Sequence, residues 1–156
     1  MAIRRTPMVF AAIAIMTSAT AASAEPVKAP LDGETSVGGV PVACTGIGET
    51  KLDPRWAGYA VRVEFSGPKN EYLANVAITL WDARRHELFS VSCEGPWILL
   101  NPAPGGYRIE GRLLDTPAKP RTASFRPPAK GQMRLVLQFK DAETSAPAVA
   151  AAAAAP

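Results

Sequence analysis

The side chains with the widest chemical range in this chain are two cysteines and one histidine. Cys44 and Cys93 are separated by about 50 residues, and no Cys-x-x-Cys pair is present. His86 is the only histidine and follows Arg84 and Arg85 in a polar run that predicts an exposed hairpin tip. A general base needs a partner acid or nucleophile held beside it, and an exposed turn is poorly suited to hold one. The pattern therefore favours neither a catalytic centre nor a metal site, and we expect no metal and no cofactor.

The first 24 residues indicate the compartment in which the cysteines work. Arg4 and Arg5 form a short positive segment, residues 8–16 are an apolar run, and residues 22–24 (Ala-Ser-Ala) match a small-residue cleavage site. Together these features predict a secretory signal peptide that is removed near Ala24. We therefore expect the protein to be periplasmic or secreted.

An exported chain gives its two cysteines a structural interpretation. In an oxidising compartment an even pair of cysteines favours one disulfide, here between Cys44 and Cys93. Such a bond closes a loop of about 50 residues, for which chain entropy gives roughly 4 kcal/mol of stabilisation as an upper figure. The alternative, a metal or redox role for the thiols, stays open but has no supporting motif.

A long predicted loop carries the side chains best suited to hold a ligand. It contains Arg55 and Trp56 and leads into Tyr59. This group could stack a sugar or an aromatic side chain of a peptide, and we keep it as the candidate binding loop. Alternatively, its aromatic rings cover the open end of the fold. Arg84 and Arg85 leave a similar choice, between contact with an anionic partner and simple solvation of a turn.

Alternation of apolar and polar side chains predicts strands from residue 40 onward. Residues 59–65 and 132–139 alternate with a period of two, which is typical of half-buried strands. Pro41 cannot donate to a ladder, so the strand over residues 40–44 is expected at a sheet edge. Trp97 lies in an apolar run and is expected in the core. Short strands separated by turn residues predict an all-β fold, a single Greek-key β-sandwich of about seven strands, prealbumin-like or Ig-like.

Composition divides the chain into four parts. These are the signal peptide (1–24), a flexible Pro-rich leader (25–36), the β-sandwich domain (37–140) and a disordered Ala/Pro-rich tail (141–156). The net charge is +3 for the whole chain and +1 once residues 1–24 are removed. No basic run with interleaved aromatic side chains is present, which argues against nucleic acid as a partner. The alanine run of the tail is shorter than the roughly 20 residues of a membrane span, so we expect no transmembrane anchor.

Two neighbouring segments resemble a known family. Residues 95–100 (Gly-Pro-Trp-Ile-Leu-Leu) and the turn and strand at residues 104–111 (Pro-Gly-Gly-Tyr-Arg-Ile-Glu-Gly) are similar to the carboxypeptidase regulatory-like family. The resemblance extends over about residues 38–139. It implies a prealbumin-like, transthyretin-type sandwich with an accessory or binding role, and it implies no substrate and no catalytic residues.

These observations lead to one functional expectation and two alternatives. We expect an exported, non-catalytic β-sandwich domain of the bacterial cell envelope that contacts a protein or glycan partner. The alternatives are a small periplasmic enzyme of unknown reaction and a purely structural envelope protein. The sequence leaves the oligomeric state open.

Overall fold

The part of the chain that the structure describes forms ten strands, some with alternating burial and some buried on both faces. The computed structural model describes residues 25–142, in which the strands are joined by turns and by two short 3-10 helices, Glu49–Leu52 and Pro54–Gly58. The strands are β1 (Val27–Lys28), β2 (Gly33–Val37), β3 (Val40–Thr45), β4 (Val61–Ser66), β5 (Val76–Asp82), β6 (Glu87–Cys93), β7 (Trp97–Leu100), β8 (Tyr107–Leu113), β9 (Arg121–Phe125) and β10 (Met133–Gln138).

The strands form two packed sheets of five strands each. Sheet A has the order β1-β6-β5-β8-β9, and sheet B has the order β10-β4-β7-β3-β2. The pairs β1–β6 and β10–β4 are parallel, and the other neighbouring pairs are antiparallel. The predicted all-β sandwich is therefore confirmed, with ten strands in place of about seven.

The segment predicted as a flexible leader differs most from expectation. Within residues 25–36, β1 pairs with β6 and most of β2 pairs with β3, and Ala29 is only 1% exposed. Both strands lie at sheet edges, where a Pro-rich chain is tolerated because one side of the strand needs no partner. The sandwich also extends past residue 140, since Ala142 is buried. The predicted signal peptide and tail residues 143–156 lie outside the described residues.

The prediction that Pro41 marks an edge strand was wrong, because β3 lies between β7 and β2. The Pro41 carbonyl accepts a hydrogen bond from the Asn101 N–H at 3.0 Å, one residue past the end of β7. Pro41 has no N–H to donate, and this side of the residue faces the chain just after β7, beyond the last residue pair of β3 and β7. The hydrogen bonds between β3 and β2 are therefore not interrupted.

The core lies between the two sheets and is crossed by the predicted disulfide. Cys44 on β3 is bonded to Cys93 on β6, with a Cα–Cα distance of 5.5 Å, so the bond joins sheet B to sheet A. Phe65 stacks on Phe139 with ring centroids 6.1 Å apart. A Cβ on Gly111 would lie 2.8 Å from the Phe65 ring, so glycine leaves the room that this ring occupies. Buried aliphatic side chains fill the rest: Val42, Val61, Val63, Val76, Ile78, Leu80, Val91, Ile98, Leu100, Ile109 and Leu137.

Candidate functional site

The candidate binding loop folds over the outer face of sheet B. Trp56 is 4% exposed and Tyr59 is 7% exposed, and both pack on Ala43 and Leu99, the outward side chains of β3 and β7. The Trp56 Nε1 donates a hydrogen bond to the Thr50 carbonyl at 2.7 Å. The indole is therefore enclosed by its own chain, and this placement removes the main support for its stacking on a ligand.

Arg55 completes this cover. Its guanidinium lies 4.1 Å from the centroid of the Trp56 ring and donates from Nη2 to the Asp32 carbonyl at 2.8 Å. Burial raises the pKa of the Tyr59 phenol, and the adjacent Glu34 carboxylate raises it further. The three residues of the candidate binding loop, Arg55, Trp56 and Tyr59, form a layer over the outer face of sheet B. This layer does not close the end of the sandwich.

Two further residues on the outer face of sheet B are buried, whereas Tyr72 and Val136 remain 48% and 41% exposed. Trp97, expected in the core, is 7% exposed but points outward, between the Arg62 guanidinium and the edge of the Tyr72 ring. Beside it Glu64 is 1% exposed, with Arg62 Nε 2.9 Å from one carboxylate oxygen and Arg134 Nη2 2.6 Å from the other. An almost fully buried carboxylate is tolerated because two cations compensate it.

The outer face of sheet A carries an open depression, although two β5 residues that line it are themselves buried: Ala77 is 5% exposed and Thr79 is 7% exposed. A depression of about 530 Å³ lies over β5, β6 and β8, with small side chains on its floor and Trp81 in its wall. Trp81 is half-buried and points outward because Val76, Ile78 and Leu80 alternate with it and face the core. Other lining residues are Glu25, Pro26, Ala77, Thr79, Glu87, Ser90, Glu110, Arg112 and Leu114.

Hydroxyl groups and one ion pair give this depression its polar character. The hydroxyls of Thr79 and Ser90 lie 3.2 Å apart, and Ser90 donates to the Ile78 carbonyl at 3.1 Å. Glu110 and Arg112 pair on β8 with 2.9 Å between Nε and Oε1. The arrangement offers one aromatic ring next to fixed hydroxyl, carboxylate and guanidinium groups, which is the composition of a polar small-ligand site.

The register of sheet A changes beside Trp81. Leu80 pairs with Phe89 whereas Trp81 pairs with Glu87, so β6 carries one extra residue at this point. Such bulges re-aim the neighbouring side chains and are frequent next to functional sites. Trp81 was not among the candidate residues selected from the sequence. The alternation with three inward aliphatic residues was the signal that could have placed its ring on the outer face.

The β5–β6 turn carries the only histidine, as predicted. The His86 side chain is 71% exposed, and its Nδ1 lies 3.3 Å from Asp82 Oδ2. The backbone N–H of His86, together with that of Arg84, holds the pKa of the Asp82 carboxyl below its ordinary value. Asp82 therefore organises the turn by accepting main-chain hydrogen bonds.

The chain matches no protein-family model, and no curated protein matches it. Within residues 25–142, no three side chains of the metal-ligating types are grouped where they could hold a metal ion. In the same part of the chain, no helix has the length and apolar character that crossing a bilayer requires.

Proposed function

We propose that this protein is an exported, non-catalytic binding domain that holds a glycan of the cell envelope on the outer face of sheet A. Trp81 would supply the surface on which a sugar ring stacks. Ser90 and Glu110 would supply hydrogen bonds to sugar hydroxyl groups, and the buried Thr79 hydroxyl would hold Ser90 in place. The observation that carries the proposal is the contrast between an enclosed Trp56 and a Trp81 that lines an open depression.

The composition of the depression favours a glycan over a protein partner. A half-buried tryptophan among short polar side chains suits a ligand that has an apolar ring face and a polar edge. A protein partner would more commonly meet a larger apolar core within the interface. Contact with a protein partner is therefore the second outcome that the test below must separate.

Export is part of the proposal and is supported by two features of different kinds. The Cys44–Cys93 disulfide is typical of oxidising compartments. The basic, apolar and small-residue pattern of residues 1–24 is that of a signal peptide. The resemblance to the carboxypeptidase regulatory-like family, through residues 95–100 and 104–111, stays part of the same proposal and agrees with an accessory binding role.

Glycan binding by matched variants tests this function. The full chain, expressed with its own N-terminal segment in a Gram-negative host, is titrated against bacterial envelope oligosaccharides by isothermal titration calorimetry. We expect Trp81→Ala to weaken binding by about tenfold or more, which corresponds to about 1.4 kcal/mol. Tyr72→Ala, which removes an exposed ring from the other sheet, should leave the affinity unchanged.

Two results would overturn the proposal. One is the absence of binding to any oligosaccharide by the folded protein. The other is equal affinity of the wild type and Trp81→Ala. If the protein captures an envelope protein and Trp81→Ala abolishes this capture, the outer face of sheet A is still the binding site, but its ligand is a protein and not a glycan.

A further inference from the structure

Three arginines line one end of the open face of sheet A. Arg85 lies in the β5–β6 turn, Arg108 lies on β8, and Arg126 directly follows β9. All three line a shallow depression of about 670 Å³, which reaches the end of the sandwich and also includes Tyr107, Phe125 and, from β10 of sheet B, Met133. The chain thus brings cations from three separate elements to one concave surface.

These three guanidinium groups differ from most arginines of the described chain in having no partner. Five others form ion pairs with carboxylates: Arg55, Arg62, Arg112, Arg121 and Arg134. Over residues 25–142, the side chains of Arg85, Arg108 and Arg126 form neither an ion pair nor a hydrogen bond.

The two acids nearest to these arginines are already engaged. Asp82 accepts the main-chain N–H groups of its own turn and lies beside His86, and Glu110 pairs with Arg112. Main-chain hydrogen bonds do not remove the charge of Asp82, which lines the same depression, so one carboxylate and three guanidinium groups leave the depression with a net positive charge.

The arginine-lined depression is continuous with the tryptophan-lined one. Trp81, Arg85, Arg108 and Glu110 together line a smaller depression of about 220 Å³, so two of the arginines belong to both regions. Trp81 and Arg108 are also register partners on adjacent strands, which places their side chains next to each other on the same face.

The backbone positions of the three arginines suit a ligand with more than one anionic group. Arg85 follows β5, Arg108 lies near the start of β8, and Arg126 follows β9, so the three residues belong to neighbouring strands of sheet A. Two strand spacings amount to roughly 10 Å. Cations supplied by three strands can meet anionic groups spaced along a chain.

We infer that the ligand is an anionic glycan whose carboxylate groups are held by Arg85, Arg108 and Arg126 while one sugar ring stacks on Trp81. This inference rests on the proposed function, because it names the class of glycan that the same face binds. Arginine suits the task because its planar fork donates two parallel hydrogen bonds to a carboxylate. An anionic lipid headgroup shares the charge but offers no ring for Trp81, so the observations favour the glycan.

A panel of acidic oligosaccharides tests the inference. Oligogalacturonates, oligoalginates and muropeptides are each titrated against the full-length protein with their carboxyl groups free and, separately, methyl-esterified. Vesicles of phosphatidylglycerol and of phosphatidylcholine form a further arm. We expect a free-acid oligosaccharide to bind at least tenfold more tightly than its ester, and we expect Arg108→Gln to abolish most of that difference.

Arg84→Gln is the matched control. It removes one positive charge from the hairpin that carries Arg85, but Arg84 lines neither of the depressions that Arg85 lines. It should change the affinity less than twofold, whereas the triple change Arg85→Gln, Arg108→Gln and Arg126→Gln should remove the preference for the acid. Equal effects of Arg84→Gln and Arg108→Gln would overturn the inference, as would binding to anionic vesicles alone.

The design separates failure of this inference from failure of the proposed function. If glycan binding depends on Trp81 but does not change with esterification or with Arg108→Gln, the proposed function stands. The inference that the glycan is anionic is then wrong. Binding of acids that depends on Arg108 but not on Trp81 overturns the stacking role, and with it the combined site. Absence of all glycan binding overturns both.

Discussion

The outer faces of the two sheets carry the same local motif with opposite consequences. On β4 of sheet B, Arg62 and Glu64 are two residues apart and pair at 2.9 Å, and the Glu64 side chain is 1% exposed. On β8 of sheet A, Glu110 and Arg112 repeat that spacing and that distance, but their side chains are 23% and 56% exposed. The two pairs have the same spacing and distance, so the difference in exposure comes from the residues packed around them. The Arg62–Glu64 pair is covered, and the Glu110–Arg112 pair is accessible to solvent.

The difference arises from the connections between strands. The chain between β3 and β4 is long enough to fold back over sheet B, where it lays Trp56 and Tyr59 on Ala43 and Leu99. The turn between β5 and β6 spans only residues 83–86 and cannot reach across sheet A. Within residues 25–142, Glu25 and Pro26 border the depression on sheet A and leave it open, and we therefore propose binding there.

Trp56→Ala is expected to have the largest effect, and it tests whether the residues that cover sheet B stabilise the fold. Removing a buried tryptophan leaves a cavity over Ala43 and Leu99, so the free energy of unfolding should fall by about 3–5 kcal/mol. Urea denaturation followed by circular dichroism measures the change. Trp81→Ala is the control and should cost less than about 1 kcal/mol, because that ring is only half-buried.

The opposite pattern would reverse the roles of the two tryptophans. If Trp56→Ala kept the stability of the wild type and lost glycan binding, the loop predicted from the sequence would be the binding site. Sheet A would then be a bare but inactive face.

Glu64→Gln and Glu110→Gln compare the two ion pairs directly. The Glu64 change leaves the partly buried Arg62 without its counter-charge, so we expect a loss of about 2 kcal/mol in unfolding free energy. The Glu110 change affects a pair close to solvent and should cost less than about 0.5 kcal/mol. Urea midpoints of the two variants at neutral pH measure the difference, and equal losses would contradict the contrast between the faces.

Local sequence patterns predicted the strands well because alternation depends on neighbouring residues alone. They also led to the disulfide, since only one pairing of two cysteines exists. Local patterns failed where the position of a side chain depends on contacts with a segment that is distant in the sequence. Nothing near Trp56 encodes the outward Ala43 and Leu99 on which it packs.

Two other errors have the same origin. The Pro-rich residues 25–36 have little strand character of their own and pair only because both sheets offer a free edge. The position of Pro41 within sheet B depends on where β7 ends, which lies some 60 residues further along the chain. For Trp81 the alternation was visible in the sequence, but the absence of a covering segment was not.

Asp82→Asn gives the smallest expected effect and tests how the end of the open face is held. The backbone N–H groups of His86 and Arg84 lower the pKa of Asp82 from its ordinary value near 3.8. A lowered pKa in the folded state means that the ionised carboxyl stabilises the fold above the unfolded-state pKa. That contribution is lost as the pH falls through the folded-state value. The stability gap between the wild type and Asp82→Asn should therefore be constant near neutral pH and shrink below about pH 4.

Urea midpoints measured from pH 7 down to pH 2 give this gap, with Glu87→Gln as the control for removal of an exposed carboxylate from the same hairpin. A stability gap that grows as the pH falls would show that Asp82 is strained by its neighbours and does not hold the turn.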